Sequence, residues 1–139
     1  MKKKMVLVLL AVLLLVCTIA PALTVSAAGN EGPSAQATKT LTTWRSLGNA
    51  RYTQRTTWSY NGFFITSWSR TRIAQSGSGY NFRYFYGSSI SGGVGRYSVT
   101  LAGSARFSRY FWGIVIANWY PYIRQTLNAR GGWSSYTSG

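Results

Sequence analysis

Arginine is the residue type in this chain whose number and spacing could do chemistry. Eleven arginines and four lysines stand against a single acid, Glu31, and the sequence contains neither histidine nor aspartate. General acid–base catalysis near neutral pH and most metal sites require histidine, cysteine or carboxylates. We therefore expect a protein that is not an enzyme and that holds neither a metal nor a cofactor. The remaining catalytic routes are a serine activated by Lys39 and chemistry by tyrosine and arginine alone.

Several arginines are spaced as neighbours on one face of a β-strand. The predicted anion-binding pairs are Arg51 with Arg55, Arg70 with Arg72, and Arg96 with Arg106. A spacing of two residues puts side chains on the same sheet face, roughly 6–7 Å apart. Guanidinium groups bind phosphate, sulfate or carboxylate through two parallel hydrogen bonds. For any one arginine, a role in solubility is the simpler interpretation. The near absence of acids favours an anionic partner for the set as a whole.

Aromatic residues divide into a predicted core and a predicted surface. The predicted core includes Trp58, Phe64, Tyr97, Leu101 and Phe107. The segment after residue 110 is richer in aromatic residues than one core requires. Its candidates for an exposed aromatic surface are Trp112, Trp119, Tyr120, Tyr122 and Trp133. Such a surface would face a membrane or stack on glycan rings.

The first 28 residues have the pattern of a secretory signal peptide. Three lysines precede an apolar run from Met5 to Ala20, and small residues follow up to Ala28. This order is typical of a cleaved leader, with the cut expected after Ala27 or Ala28. The leader style favours a bacterium with one membrane. We expect a secreted protein, at most retained at the cell wall.

Cleavage would leave a single cationic domain without a disulfide. The only cysteine, Cys17, lies in the leader, and twelve cationic side chains would face one carboxylate, a formal charge of +11. Residues 29–40 are rich in Gly, Pro, Ser, Gln and Thr, which predicts a flexible linker. Residues 41–139 are long enough to bury one core without staples.

The pattern of residues 41–139 predicts strands. Val99, Leu101 and Phe107 alternate with polar residues, and Gly103 indicates a bulge or a bend within this run. A second alternation is formed by Tyr80, Phe82, Tyr84 and Tyr86, and a third by Arg51, Thr53, Arg55 and Thr57. Asn61-Gly62 predicts a hairpin, a longer connection is predicted over residues 87–95, and Gly131-Gly132 predicts the last turn. Two short strands are predicted within residues 112–128.

These elements predict an all-β fold, an antiparallel β-sandwich or small barrel of about six to eight strands. The function that fits best is non-catalytic binding of an anionic polymer or surface, namely teichoic acid, acidic lipid, acidic glycan or nucleic acid. The alternatives are an antibacterial protein that acts on cell envelopes and a structural matrix protein that assembles through strand edges. Between about pH 6 and 9 only the α-amino group should titrate.

Overall fold

The fold consists of two antiparallel β-sheets. A computed structural model describes residues 35–139, and this part contains no helix long and apolar enough to cross a bilayer. Its eight strands are β1 (Ala37–Leu47), β2 (Ala50–Tyr60), β3 (Ile65–Gln75), β4 (Tyr80–Gly92), β5 (Ser98–Phe111), β6 (Ile114–Trp119), β7 (Tyr122–Asn128) and β8 (Trp133–Ser138). The predicted all-β antiparallel sandwich is therefore confirmed, as are the two short strands β6 and β7.

The two sheets differ in size and are joined by hydrogen bonds at one end. The first sheet has the order β1-β2-β3, and the second has the order β4-β5-β7-β8. The long strand β5 pairs with β7 through its first half and with β6 through its second half. Ile65 at the start of β3 exchanges backbone hydrogen bonds with Gly95 and Arg96 in the β4–β5 loop, which joins the sheets at that end.

Turn chemistry explains how the strands are connected. The predicted hairpin at Asn61-Gly62 is present between β2 and β3, where the Asn61 side-chain oxygen accepts hydrogen bonds from the backbone N–H groups of Phe63 and Phe64. Gly62 has a φ of 92°, which glycine adopts without a steric cost. The turn predicted at Gly131 joins β7 to β8. The predicted connection over residues 87–95 is shorter than expected, because β4 continues to Gly92.

The core contains two apolar clusters between the sheets. One is formed by Leu41, Trp58, Ile65, Val99, Leu101 and Leu127, and the other by Ala50, Tyr52, Ala105, Phe107, Trp119 and Ile123. The prediction was wrong for two core residues, because Phe64 is 43% and Tyr97 is 51% exposed. Both lie in loops beside the strands, Phe64 before β3 and Tyr97 before β5, so strand alternation does not govern their side chains.

A buried glutamine network bridges the two sheets. Gln125 of β7 accepts hydrogen bonds from Thr56 at 2.6 Å and from Gln54 at 3.0 Å, both in β2. Its amide nitrogen donates to Thr43 at 2.9 Å and to the Gln54 carbonyl at 3.1 Å. A buried polar group has no water to replace a lost hydrogen bond, so breaking these bonds is costly. The network therefore favours the one alignment of the two sheets in which the bonds are kept.

The boundary of the domain differs from the sequence-based prediction. The first strand begins at Ala37 rather than after residue 40, so the end of the predicted linker belongs to the sheet. Thr38 and Thr40 pair with Ser59 and Thr57 through side-chain hydroxyls at 2.8 Å, which explains why this polar segment forms a strand. The predicted signal peptide over residues 1–28 lies outside the described residues.

Replacing Gln125 with alanine should destabilise the fold by about 3 kcal/mol, because it leaves several buried groups of β1 and β2 unpaired. The matched control is Gln75→Ala, which removes an exposed glutamine of β3 and should cost less than about 0.5 kcal/mol. Urea denaturation of both variants measures the difference. Equal midpoints for the two variants would show that the network does not stabilise the sandwich.

Candidate functional site

The six arginines predicted to bind anions do not share one surface. Arg51 and Arg55 lie on the outer face of the first sheet, where the predicted alternation with Tyr52 and Trp58 is confirmed. Arg106 lies on the outer face of the second sheet. Arg96 lies in the loop before β5, because that strand begins only at Ser98. The predicted pairing of Arg96 with Arg106 on one strand face is therefore wrong.

Arg70 and Arg72 point inward, which corrects their predicted place on a polar face. Arg70 donates to the Ala102 carbonyl at 3.1 Å and to the Ser88 hydroxyl at 2.6 Å, and both partners belong to the other sheet. The Arg72 guanidinium lies 4.8 Å from the centroid of the Phe85 ring. Burial, followed by the charge of Arg72, lowers the pKa of Arg70. Inward charges on an edge strand such as β3 prevent pairing with other chains.

Gly103 makes room for this inward arginine. The sequence indicated a bulge or bend at Gly103, and the β4–β5 pairing does shift register opposite it, between Tyr86 and Ser89, whereas the β5–β7 pairing runs through it without a shift. A Cβ atom there would lie 3.1 Å from the Tyr52 hydroxyl and 3.4 Å from the Arg72 Nη1 atom. The close approach of two side chains from the first sheet therefore favours glycine at this position.

A β-bulge in β4 brings tyrosines to the outside. Phe82 pairs with Phe107 and Tyr84 pairs with Arg106, so Arg83 is an extra residue on β4. One extra residue reverses the face of every side chain that follows. Phe82 therefore packs on Phe107 in the core, whereas Tyr84 and Tyr86 stand on the outer face of the second sheet.

Tyrosines and arginines cover that outer face. We name it the tyrosine–arginine surface, consisting of Tyr84, Tyr86, Arg106, Tyr120, Tyr122, Arg124 and Tyr136. Ring centroids of Tyr84 and Tyr86 are 6.0 Å apart, and those of Tyr86 and Tyr120 are 6.2 Å apart. Tyr122 and Tyr136 form a further pair at 6.2 Å. The rings thus extend across the sheet from β4 to β8.

Small residues form the floor between these rings. Ser104 on β5 pairs with Tyr86 on one side and with Tyr122 on the other. Ser104 and the neighbouring Ala102 are buried although both lie on the outer face. Large side chains on flanking strands around a floor of small residues produce a trough.

Hydrogen bonds and ring contacts orient the two arginines of this surface. Arg106 donates to the Tyr84 hydroxyl at 3.2 Å and, from Nε and Nη2, to the Asn118 side-chain oxygen at 3.3 Å. The Arg124 guanidinium lies 5.4 Å from the Tyr136 ring centroid. It also lines a polar cleft of about 310 Å³ formed with Thr100, Thr126, Ser134, Ser135 and Tyr136. All these partners are neutral, so both guanidinium charges remain available to a ligand.

The predicted aromatic surface is only partly assembled. Tyr120 and Tyr122 belong to the tyrosine–arginine surface, but Trp119 is buried in the core against Phe107. Trp112 lies in the β5–β6 turn, and Trp133 is exposed on β8 at the opposite end of the sheet. The sequence interpretation missed Arg124 and Tyr136, although Tyr122, Arg124 and Thr126 alternate with the buried residues Ile123, Gln125 and Leu127.

Lys39, the predicted activator of a catalytic serine, lies in β1 rather than in a linker. Its Nζ atom donates to the Gly131 carbonyl at 3.0 Å. Residues 35–139 contain no histidine, cysteine, aspartate or glutamate, which are the usual side-chain ligands of metals. Comparisons of the chain with protein-family models, curated proteins and solved structures found no match.

The stability of the fold should be almost independent of pH from about pH 5 to 9 and should fall above about pH 10. Burial raises the pKa of the Tyr52 phenol above its ordinary 10.0, against the opposing charges of Arg72 and Arg70. The unfolded phenol then loses its proton first, which favours unfolding as the pH rises. Tyr52→Phe should flatten this alkaline decline in thermal unfolding experiments, whereas Tyr97→Phe, which removes an exposed phenol, should not. A decline of the same steepness in Tyr52→Phe would contradict this assignment.

Proposed function

We propose that this protein is a non-catalytic binding module for a linear anionic polymer and that the tyrosine–arginine surface is its binding face. The observation that carries the proposal is the placement of five tyrosines and two arginines on one open sheet face with a floor of small residues. An open trough accepts a chain that enters at one side and leaves at the other, whereas a closed pocket does not.

The two residue types supply complementary interactions. Tyrosine rings stack on flat ligand rings, and their hydroxyls reach polar groups at the rim. Arg106 uses three of its five N–H groups on Tyr84 and Asn118, which leaves two for an anionic group. The Tyr136 ring beside Arg124 orients the second guanidinium before a ligand arrives, which reduces the entropy lost on binding.

The polar residues around the arginines favour an acidic glycan over other polyanions. The cleft beside Arg124 is lined by threonine and serine hydroxyls, which both donate and accept hydrogen bonds as sugar hydroxyls do. No carboxylate side chain occurs in residues 35–139 to repel the acidic groups of such a polymer. The predicted signal peptide supports an encounter outside the cell, with glycans and teichoic acids of the envelope as available partners.

The outer face of the first sheet is the competing arginine surface. Arg51 and Arg55 are present there, and the Arg51 guanidinium lies 5.9 Å from the Trp44 ring. The rest of that face is mainly threonine and serine, without the connected rings of the second sheet. This face therefore provides a control that separates the effect of positive charge from the effect of connected aromatic rings.

The double variant Arg106→Gln/Arg124→Gln should bind an acidic polysaccharide at least about tenfold more weakly than the wild-type protein. The matched control is Arg51→Gln/Arg55→Gln, which removes the same charge from the other sheet. Binding to polygalacturonate, teichoic acid and single-stranded DNA is measured by titration across a series of salt concentrations. The slope of log affinity against log salt should fall by roughly two in the first variant only.

Tyr86→Ser and Tyr122→Ser test the stacking contribution at unchanged charge. Both should weaken polysaccharide binding and leave its salt slope as in the wild type. Equal losses in the two arginine double variants would show that binding depends on net charge and not on the tyrosine–arginine surface. Tighter binding of DNA than of both envelope polymers would assign the surface to nucleic acid.

A further inference from the structure

A strongly apolar tip stands apart from the tyrosine–arginine surface. The β5–β6 tip consists of Phe111, Trp112, Ile114, Val115 and Ile116 around Gly113. Trp112 is 88%, Ile114 68% and Phe111 62% exposed. Contiguous exposed apolar side chains of this size are unusual on a monomer and mark a site of interaction.

The conformation of Trp112 shows that the tip is not optimised for folding. Trp112 has a φ of 49° and Gly113 a φ of 76°, so both central residues of this two-residue turn are left-handed. Such turns favour Asn-Gly, and a bulky aromatic residue at positive φ is strained. Because Trp112 is almost fully exposed, the fold gains no burial in return for this strain.

The tip projects beyond the sheet. Pairing of β4 with β5 ends at Arg109, and in the described part of the chain Tyr110 and Phe111 pair only with β6. The hairpin from Tyr110 to Trp112 therefore extends two to three residues past the last β4–β5 pair, roughly 7–10 Å. This matches the depth of about 5–10 Å to which interfacial segments enter a bilayer.

Two arginines lie at the base of the tip. Arg109 is exposed directly below it, and the Arg83 guanidinium lies 5.5 Å from the Tyr110 ring. Arg83 is held there by the same bulge that turns Tyr84 outward. An apolar end above two arginines and a tyrosine is complementary to acyl chains below anionic headgroups.

We propose that the β5–β6 tip inserts into the interface of an anionic lipid bilayer. Phe111, Trp112 and Ile114 enter the acyl boundary, and Arg83 and Arg109 bind lipid phosphates. This membrane site goes beyond the proposed polymer-binding function and does not depend on it, because the tip and the tyrosine–arginine surface share no residue.

The test measures co-flotation of the full protein with vesicles of phosphatidylcholine alone and of equal parts phosphatidylcholine and phosphatidylglycerol. We expect binding to the mixed vesicles, with a shift of tryptophan emission to shorter wavelength. Trp112→Asn should lower this binding by about tenfold or more. The same variant should keep or raise the melting temperature, because Asn-Gly suits the turn. Ile114→Thr is the second tip variant and should also weaken binding.

Trp133→Ser is the matched control, because it removes an exposed tryptophan of β8, at the end of the sheet opposite the tip, and should leave vesicle binding unchanged. Equal binding to both vesicle types, no binding, or undiminished binding by both tip variants would overturn the proposal. Self-association that disappears in the tip variants, without vesicle binding, would assign the tip to a second copy of the chain instead. Polysaccharide binding by Trp112→Asn should equal that of the wild type, so failure of one proposal does not decide the other.

Discussion

The structure depends on one constraint, namely that its cations have no carboxylate side chain to pair with in residues 35–139. Five of them have neutral partners: carbonyl oxygens for Lys39 and Arg70, a hydroxyl and an amide oxygen for Arg106, and aromatic rings for Arg72 and Arg124. Neutral partners orient a guanidinium without cancelling its charge. Since a ring contact contributes about 0.5–1 kcal/mol at an exposed site, the high aromatic content and the high arginine content support each other.

Mutual repulsion of these charges destabilises the folded state, and the free energy gained by burying the interior must offset it. The two apolar clusters and the glutamine network between them do this, and both clusters draw on the central strand β5. That strand also carries the floor of the tyrosine–arginine surface at Ser104, the guanidinium of Arg106, and the start of the apolar tip at Phe111. The most buried strand of the second sheet thus positions both proposed binding regions on one rigid element.

Strand alternation predicted the fold class and most of the strands. A strand that is buried on one face has apolar residues at every second position, and this pattern can be seen in the sequence. It could not predict the sheet face of Tyr84 and Tyr86, since the bulge at Arg83 depends on pairing with β5 and not on local sequence. The inward orientation of Arg70 and Arg72 was missed for a related reason. An arginine in an alternating pattern is assigned to solvent, although on the edge strand β3 it reaches carbonyl, hydroxyl and ring partners of the other sheet.

The two proposed interactions act over different distances. Charge attraction would therefore come first and apolar burial second. Unpaired charge would attract an anionic surface over about the Debye length of 8 Å, whereas apolar burial at the β5–β6 tip would begin only on contact. The arginines at the base of the tip lie where both forces operate, because Arg83 contacts Tyr110 just below the exposed Phe111. A protein of this charge without the tip would remain in the headgroup layer, and a tip without the charge would approach any membrane slowly. Taken together, the two proposals predict the strongest binding to a surface that is both anionic and lipidic.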